Sequence, residues 1–255
     1  MSRLFDYKYL SIEHLKGFSN YKYSSIDNSP LAVYVSHPFW NQVVKLYPMW
    51  LAPNVLTFGG MLLVMAAFGL VSYYDYNLTA SNGPIDVLST HPVPNWVWLF
   101  CSIAMFLAHT MGNGTDGKQA RRTGASGPTG ELFDHGIDSW MTIPFTVTLF
   151  SVFGRTDYSV DAFRQMLILM SVQLVFVTTH WEKYNTGILF LSWCYDASQY
   201  ALVIMYFVTW AAGGYLFWKF YLIPGLLTPA HVMEYVFYFS CFGMSIPMSL
   251  YNIQK

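Results

Sequence analysis

The sequence predicts an all-α integral membrane protein, a bundle of six transmembrane helices preceded by an N-terminal interfacial helix. The 255 residues are 54% hydrophobic, 19% aromatic and only 11% charged, whereas a soluble domain carries about 25% charged residues. Uncharged runs near the roughly 20 residues that a spanning helix needs recur along the chain. The formal net charge of −1 provides no basic field, so we expect the lipid bilayer and no nucleic acid as a partner.

Residues 1–50 are predicted to form a cytosolic N-terminus that ends in the interfacial helix. Pro30–Trp50 is aromatic, and its prolines leave no stretch long enough to span a bilayer. Trp40, Tyr47 and Trp50 are of the residue types that favour the headgroup zone. We therefore expect this segment to lie along the membrane surface.

Residues 51–255 are predicted to form the six-span domain. The predicted spans are Val55–Tyr74, Trp96–Gly112, Ser139–Gly154, Gln165–Trp181, Ala197–Trp218 and Tyr235–Gln254. Glycines and prolines predict a loop over Tyr76–Pro94 and a tight turn over Gly124–Pro128. With six spans, ten of the 13 lysines and arginines fall on one side. The positive-inside rule then places both termini and the turn in the cytosol.

Ionisable residues concentrate where the second predicted span ends and the third begins. Asn113 and Asp116 are three apart, and Asp134 and Asp138 are four apart, so each pair is expected to share a helix face. Two neighbouring helices would then direct four oxygen-bearing side chains to one place, which suits Mg²⁺. Acids in membrane helices also serve in packing, ion pairing or ion transport, and these alternatives remain open.

Residues around these acids suit a phosphorylated ligand. Gly117 and Gly130 allow close approach, and Arg121 and Lys118 can hold a diphosphate, although such basic residues also set topology. His135 is equally consistent with a base and with a satisfied hydrogen-bond partner. The remaining histidines are expected to pack or lie at the interface. His180, at the cytosolic end of the fourth span, is expected to cap that helix, although lining the site remains an alternative.

Seven residues stand at fixed gaps in the pattern Asp116-Gly117-x2-Ala120-Arg121-x8-Gly130-x3-Asp134-x3-Asp138. This pattern resembles the signature of the CDP-alcohol phosphotransferase family. The strings HPFWNQVVKLYPMWLAPNVLTF and HWEKYNTGILFLSWCYD look like the eukaryotic branch of ethanolaminephosphotransferases of the selenoprotein I type. The likeness covers nearly the whole chain.

The resemblance implies an enzyme that transfers phosphoethanolamine from CDP-ethanolamine to diacylglycerol, giving phosphatidylethanolamine and CMP. It implies Mg²⁺ or Mn²⁺ bound by aspartates, and a site that faces the cytosol from the endoplasmic reticulum or Golgi membrane. The implied metal ligands are Asp116, Asp134 and Asp138, with Asn113 beside them. The candidate CDP-binding residues are Asn54, Asp116, Gly117, Lys118, Ala120, Arg121 and Gly130. The candidates for activating the diacylglycerol hydroxyl are Asp138, Glu131 and His135.

Two departures from the family pattern leave other functions open. Asn113 stands where the family has an aspartate, so a weaker cation site is expected. Eukaryotic members have about ten spans against the six predicted here, which leaves open a truncated or impaired paralogue that acts as a membrane binding or scaffold protein. A CDP-choline-using enzyme and a homodimer also remain open.

Overall fold

The computed structural model of the chain describes residues 9–18, 20–80, 93–155 and 158–255. The described chain is largely helical, and most of the predicted loop over Tyr76–Pro94 lies outside the described residues. The α-helices are α1 (Ile12–Phe18), α2 (His37–Val43), α3 (Pro53–Tyr74), α4 (Asn95–Ala108), α5 (Asp116–Thr123), α6 (Pro128–Phe153), α7 (Ala162–Thr186), α8 (Cys194–Ala211), α9 (Pro229–Tyr238) and α10 (Ile246–Gln254). The strands are β1 (Ser25–Ile26) and β2 (Leu189–Phe190).

Wider π-helical turns join several of these helices into longer rods. His109–Thr115 connects α4 to α5, and Phe239–Ser245 connects α9 to α10. The first rod ends at Gly124, whose φ of 68° places it in the left-handed region that glycine tolerates. The predicted turn follows directly, because α6 starts at Pro128.

Three helical segments of the described chain are long and apolar enough to cross a membrane: Pro53–Tyr74, Asn95–Thr123 and Ala162–Thr186. Together with the helical content they bear out a helical membrane-type fold. The other three predicted spans also fall on helices, but these helices do not meet the same criteria of length and apolarity. Asp134 and Asp138 lie on one of them, α6.

The hydrophobic core lies among α3, α4, α6 and α8. Trp98 of α4 stacks on Tyr206 of α8, with ring centroids 6.1 Å apart and planes within 9° of parallel. The Ser102 hydroxyl donates to the carbonyl oxygen of Val203 at 2.9 Å, which satisfies a buried polar group at the same interface. The core thereby fixes the rod that carries the first half of the motif.

The all-α prediction misses one feature, a parallel pairing of β1 with β2. The amides of Leu189 and Leu191 donate to the carbonyl oxygens of Ser24 and Ile26 at 3.0 and 2.9 Å. Two-residue strands carry no periodic sequence signal, so only tertiary contact reveals them. The pairing holds the N-terminal segment against the connection between α7 and α8.

The headgroup assignment of Trp40 is wrong, because the structure buries this side chain to 4% exposure. Its ring packs on the π-helical turn at Gly114, where an added Cβ would lie 2.4 Å from the indole. Trp50 is 82% exposed, as a headgroup-facing residue would be. An aromatic residue near a predicted interface can equally fill a gap against a glycine backbone, and composition does not distinguish the two cases.

Candidate active site

The π-helical turn delivers Asp116 to the start of α5, buried at 7% exposure. The Thr57 hydroxyl of α3 donates to its Oδ2 at 2.8 Å, and the Gly117 amide donates to its Oδ1 at 2.6 Å. The wider turn also changes the angle between Asn113 and Asp116 from the one an α-helix would give. These contacts fix the Asp116 carboxylate before any ligand arrives.

Asp134 and Asp138 project from α6 toward Asp116. The Asp134 and Asp138 carboxyl groups both lie near enough to that of Asp116 to interact with it electrostatically. The buried Oδ1 of Asp134 has no hydrogen-bond partner among the described residues. The three aspartates therefore converge, as the spacing predicted.

Nothing in the described part of the chain neutralises this cluster with a lysine or arginine ion pair. The Nε2 atom of the His135 imidazole lies 3.9 Å from Oδ2 of Asp134. Adjacent buried carboxylates repel unless a proton or a cation lies between them. Within the described residues, no group of three or more His, Cys, Asp or Glu side chains has the arrangement of a finished metal site. The oxygen donors and the unpartnered Oδ1 nevertheless fit a hard divalent cation.

A cavity of about 430 Å³, lined mostly by polar and charged residues and named the polar cavity for that reason, includes Asp116 and Asp134 in its wall. All seven predicted CDP-binding residues line it: Asn54, Asp116, Gly117, Lys118, Ala120, Arg121 and Gly130. A Cβ at Gly117 would lie 3.7 Å from Arg121, and one at Gly130 would lie 3.6 Å from Asn54. These are ordinary contacts, so protein packing alone does not require glycine at either position. Because glycine has no side chain, Gly117 and Gly130 leave room for a ligand along this part of the cavity wall.

A second cavity of about 300 Å³, largely apolar and named the apolar cavity, adjoins the first. It runs between α3, α4, α6, α7 and the α9–α10 rod, and its walls include Met105, Phe145 and Phe237. His135 and Asp138 line this apolar cavity. Both cavities lie within the size range of ligand pockets.

The two cavities share five lining residues: Tyr23, Asn113, Asp134, Leu191 and Tyr195. Two of these, Asn113 and Asp134, are predicted metal ligands. The predicted cation site therefore lies where a polar compartment and an apolar compartment adjoin.

Glu131 lies in the polar cavity but is already engaged by the protein. It accepts a hydrogen bond from the Tyr21 hydroxyl and forms an ion pair with Lys183. Its Oε1 also lies 3.8 Å from Nδ1 of His135. Glu131 thus joins the N-terminal segment, α6 and α7, and it approaches the apolar cavity through His135.

Comparison with known proteins decides the family. Residues 50–226 match the CDP-alcohol phosphatidyltransferase family. The chain belongs to this family. CDP-alcohol phosphatidyltransferases use divalent metal ions, in keeping with the paired carboxylates between the cavities.

Individual members of the family resemble the chain over most of its length. It is 46% identical to human "Ethanolaminephosphotransferase 1" over 246 residues, which are 96% of this chain and 60% of the human protein. It is 36% identical to an uncharacterized CDP-alcohol phosphatidyltransferase class-I family protein of Schizosaccharomyces pombe, over 82% of this chain and 50% of that protein. It is 30% identical to "Choline/ethanolaminephosphotransferase 1" of Saccharomyces cerevisiae, over 91% of this chain and 56% of the yeast protein. The chain thus spans 50–60% of the length of these relatives.

In this member of the family, the sequence left the role of some site residues open and missed others. His180, whose capping role was the favoured reading, lines the apolar cavity with its ring centroid 4.8 Å from that of His135, and α7 continues past it to Thr186. Tyr23 and Tyr195 line both cavities, and Asp196 lines the polar one. These residues come from segments far apart in sequence. No spacing rule links them to the family motif.

Proposed function

We propose that the chain transfers phosphoethanolamine from CDP-ethanolamine to diacylglycerol, giving phosphatidylethanolamine and CMP. The junction of a polar and an apolar cavity at Asn113 and Asp134 supports this function. A nucleotide-linked head group suits the polar cavity, and a diacylglycerol suits the apolar one. The name of the human relative, ethanolaminephosphotransferase 1, supports ethanolamine as the head group.

The proposed reaction exchanges one phosphorus–oxygen bond for another. The diacylglycerol hydroxyl oxygen attacks the phosphorus that carries ethanolamine, and the bond from this phosphorus to CMP breaks. CMP leaves with the bonding electron pair, and the hydroxyl proton passes to a base on the protein. The contribution of the protein is mainly to position the reactants and stabilise the charge.

The proposal assigns a role to each group of motif residues. Arg121 and Lys118 hold the diphosphate, while Asn54, Ala120 and the two motif glycines shape the path of the nucleotide. Mg²⁺ or Mn²⁺ would be held by Asp116, Asp134 and Asp138, with the amide oxygen of Asn113 beside them. When bound, it would neutralise the diphosphate and make CMP a better leaving group.

The general base that accepts the hydroxyl proton is assigned to the apolar cavity. Asp138 and His135 line the apolar cavity, where the hydroxyl of diacylglycerol would enter. His135 lies between Glu131 and Asp134, so it can pass a proton toward either carboxylate. Glu131 remains a candidate through this contact.

The membrane arrangement extends the family assignment. Six spans over residues 51–255, an N-terminal cytosolic and interfacial segment, and a site facing the cytosol agree with the placement of the lysines and arginines. Residence in the endoplasmic reticulum or Golgi membrane follows from the proposed lipid product. A homodimer is consistent with this arrangement.

The direct test uses the purified full chain in liposomes that contain diacylglycerol. With labelled CDP-ethanolamine and Mn²⁺, we expect labelled phosphatidylethanolamine and CMP in equal amounts, and no product after chelation. Asp134→Asn should lower turnover by about a hundredfold or more, because it removes charge at the reacting diphosphate. Asp161→Asn is the matched control, since Asp161 caps α7 by accepting from the Arg164 amide at 2.9 Å and asparagine also caps. Product formation that is indifferent to the chelator would reject the proposal.

Asn113 favours a second candidate function, a catalytically weak relative that binds nucleotide without efficient transfer. Asn113→Asp would restore the carboxylate expected from the family pattern. A large gain in turnover, with half-saturation at a lower Mn²⁺ concentration, would show that the chain is impaired. Unchanged turnover would show that the amide suffices. CDP-choline supplied in the same assay identifies the preferred head group.

A further inference from the structure

The polar cavity has a wall that the transfer chemistry leaves unused. It consists of Asp196 in the first turn of α8, Tyr195 beside it, and Trp40 of α2. Asp196 is 2% exposed and Trp40 is 4% exposed. A charged group and an indole at this degree of burial need partners, and the described protein satisfies them incompletely.

The Asp196 carboxylate has one oxygen engaged and one open. Nε2 of His109 lies 3.4 Å from Oδ1, and the Ser36 side chain also approaches the carboxylate. Oδ2 is buried and has no hydrogen-bond partner among the described residues. An open buried carboxylate oxygen is costly unless a ligand donates to it.

Aromatic rings pack around His109, the partner of Asp196, and two of them line the same cavity as Asp196. Trp40 is wedged against the backbone at Gly114 and meets the His109 ring edge-on, with centroids 5.3 Å apart. Tyr195 also approaches His109, with centroids 6.2 Å apart. A carboxylate among aromatic rings is an environment that attracts organic ammonium groups, which interact with both.

We propose that Asp196, flanked by Trp40 and Tyr195, binds the ammonium group of a CDP-linked amino alcohol. This inference rests on the proposed function and identifies the feature of the head group that the site recognises. Lys118 and Arg121 line the same cavity, so one compartment offers cations to the diphosphate and an anion to the ammonium. A CDP-alcohol without a positive charge would leave Oδ2 unpaired, and the site therefore selects against it.

The test compares CDP-ethanolamine with CDP-propanol, in which a methyl group replaces the ammonium. Binding of each, and of CMP, is measured by calorimetry on the purified full chain with Mn²⁺ and without diacylglycerol. The wild type should bind CDP-ethanolamine about ten- to a hundredfold more tightly than CDP-propanol, the range for a hydrogen bond to a charged group. Asp196→Asn should bring the two affinities to within about threefold and leave CMP affinity unchanged.

Asp27→Asn provides the matched control. Asp27 lines the same cavity, but its Oδ1 accepts from the Ser29 amide at 3.0 Å in a local turn. Because asparagine keeps this acceptor, the variant should retain the wild-type preference for CDP-ethanolamine.

Two results would overturn the inference. The first is equal binding of both CDP-alcohols by the wild type, a measurement that does not depend on any variant folding. The second is an Asp196→Asn protein that loses the same factor for both ligands, which would make Asp196 a structural partner of His109. Failure of the proposed function is a separate outcome. A wild type that binds CDP-ethanolamine more tightly than CDP-propanol but forms no phosphatidylethanolamine would have the ammonium site without the transfer activity.

Discussion

Arg121 and Arg122 are adjacent in sequence but have different surroundings. Arg122 donates to the carbonyl oxygens of Val44 and Tyr47 and, at 3.0 Å, to Oε1 of Gln119. It thereby ties α5 to the segment after α2. Arg121 lines the polar cavity and makes no hydrogen bond or ion pair with the described residues. Its guanidinium group is therefore available for a diphosphate.

We predict that Arg121→Gln raises the KM for CDP-ethanolamine by about tenfold or more, the loss expected when a charged hydrogen bond to substrate is removed. The Tm of this variant should stay close to that of the wild type. Arg122→Gln should do the reverse, lowering Tm with little change in KM, because it removes several bonds within the protein. Transfer kinetics and thermal denaturation of both variants provide the measurement. An Arg121→Gln enzyme with unchanged KM would contradict the assigned role.

At the scale of elements, the rod formed by α4, the π-helical turn and α5 depends on its fit against α2. Trp40 occupies the space that a side chain at Gly114 would need. The same turn carries Asn113 and leads into Asp116. A displacement at Gly114 should therefore move the candidate metal ligands as well as the fold.

We predict that Gly114→Ala lowers Tm by several degrees and abolishes transfer, because overpacking a buried contact costs about 1–3 kcal/mol. Gly69→Ala is the matched control, since a Cβ at Gly69, inside α3, meets nothing within 4 Å. That change should be neutral or slightly stabilising, as alanine is the better helix former. Equal Tm values for the two variants would show that the Trp40 contact is unimportant.

The N-terminal segment is a second element whose placement matters, since it covers part of the polar cavity. Tyr21 donates to Glu131, and the β1–β2 pairing holds the segment beside the site. Burial raises the pKa of Tyr21, and the neighbouring Tyr23 raises it further. The neutral phenol is thus favoured in the folded protein, which preserves its role as a donor.

The pH dependence of this attachment follows from the sign of that shift. A raised pKa stabilises the fold fully below the ordinary phenol value of about 10, and the contribution is lost as pH rises through the raised value. Hydrogen-exchange protection factors of the Leu189 and Leu191 amides should therefore be constant from about pH 6 to pH 9. Tyr21→Phe should reduce them at every pH. Protection in the wild type that declines through the neutral range would contradict the raised pKa.

For the whole molecule, sequence predicted the reacting centre better than its surroundings. Motif spacing predicted that Asp116 and Asp134 would converge, because helical periodicity relates residues within and between adjacent helices. The seven candidate CDP-binding residues line the polar cavity, and their roles stay predictions. Tyr195 and Asp196 were missed because tertiary packing alone brings them to the site. The buried position of Trp40 depends on Gly114, which is more than seventy residues away in sequence.

The two cavities would separate a water-soluble reactant from a lipid-soluble one, as a reaction at a membrane surface requires. In the proposed mechanism, water-soluble and lipid-soluble reactants would reach the carboxylates from different cavities. The proposed cation is central to that mechanism, and its binding can be measured without relying on turnover.

Electron paramagnetic resonance of Mn²⁺ bound to the purified full chain tests this arrangement most directly. We predict a bound Mn²⁺ signal that weakens strongly in Asp134→Asn and persists in Asp161→Asn. Addition of CDP-ethanolamine should produce phosphorus hyperfine coupling to the bound ion, because the diphosphate would share its coordination. A protein that binds no Mn²⁺, or whose bound Mn²⁺ is indifferent to both Asp134→Asn and the nucleotide, would contradict a metal centre between the two cavities.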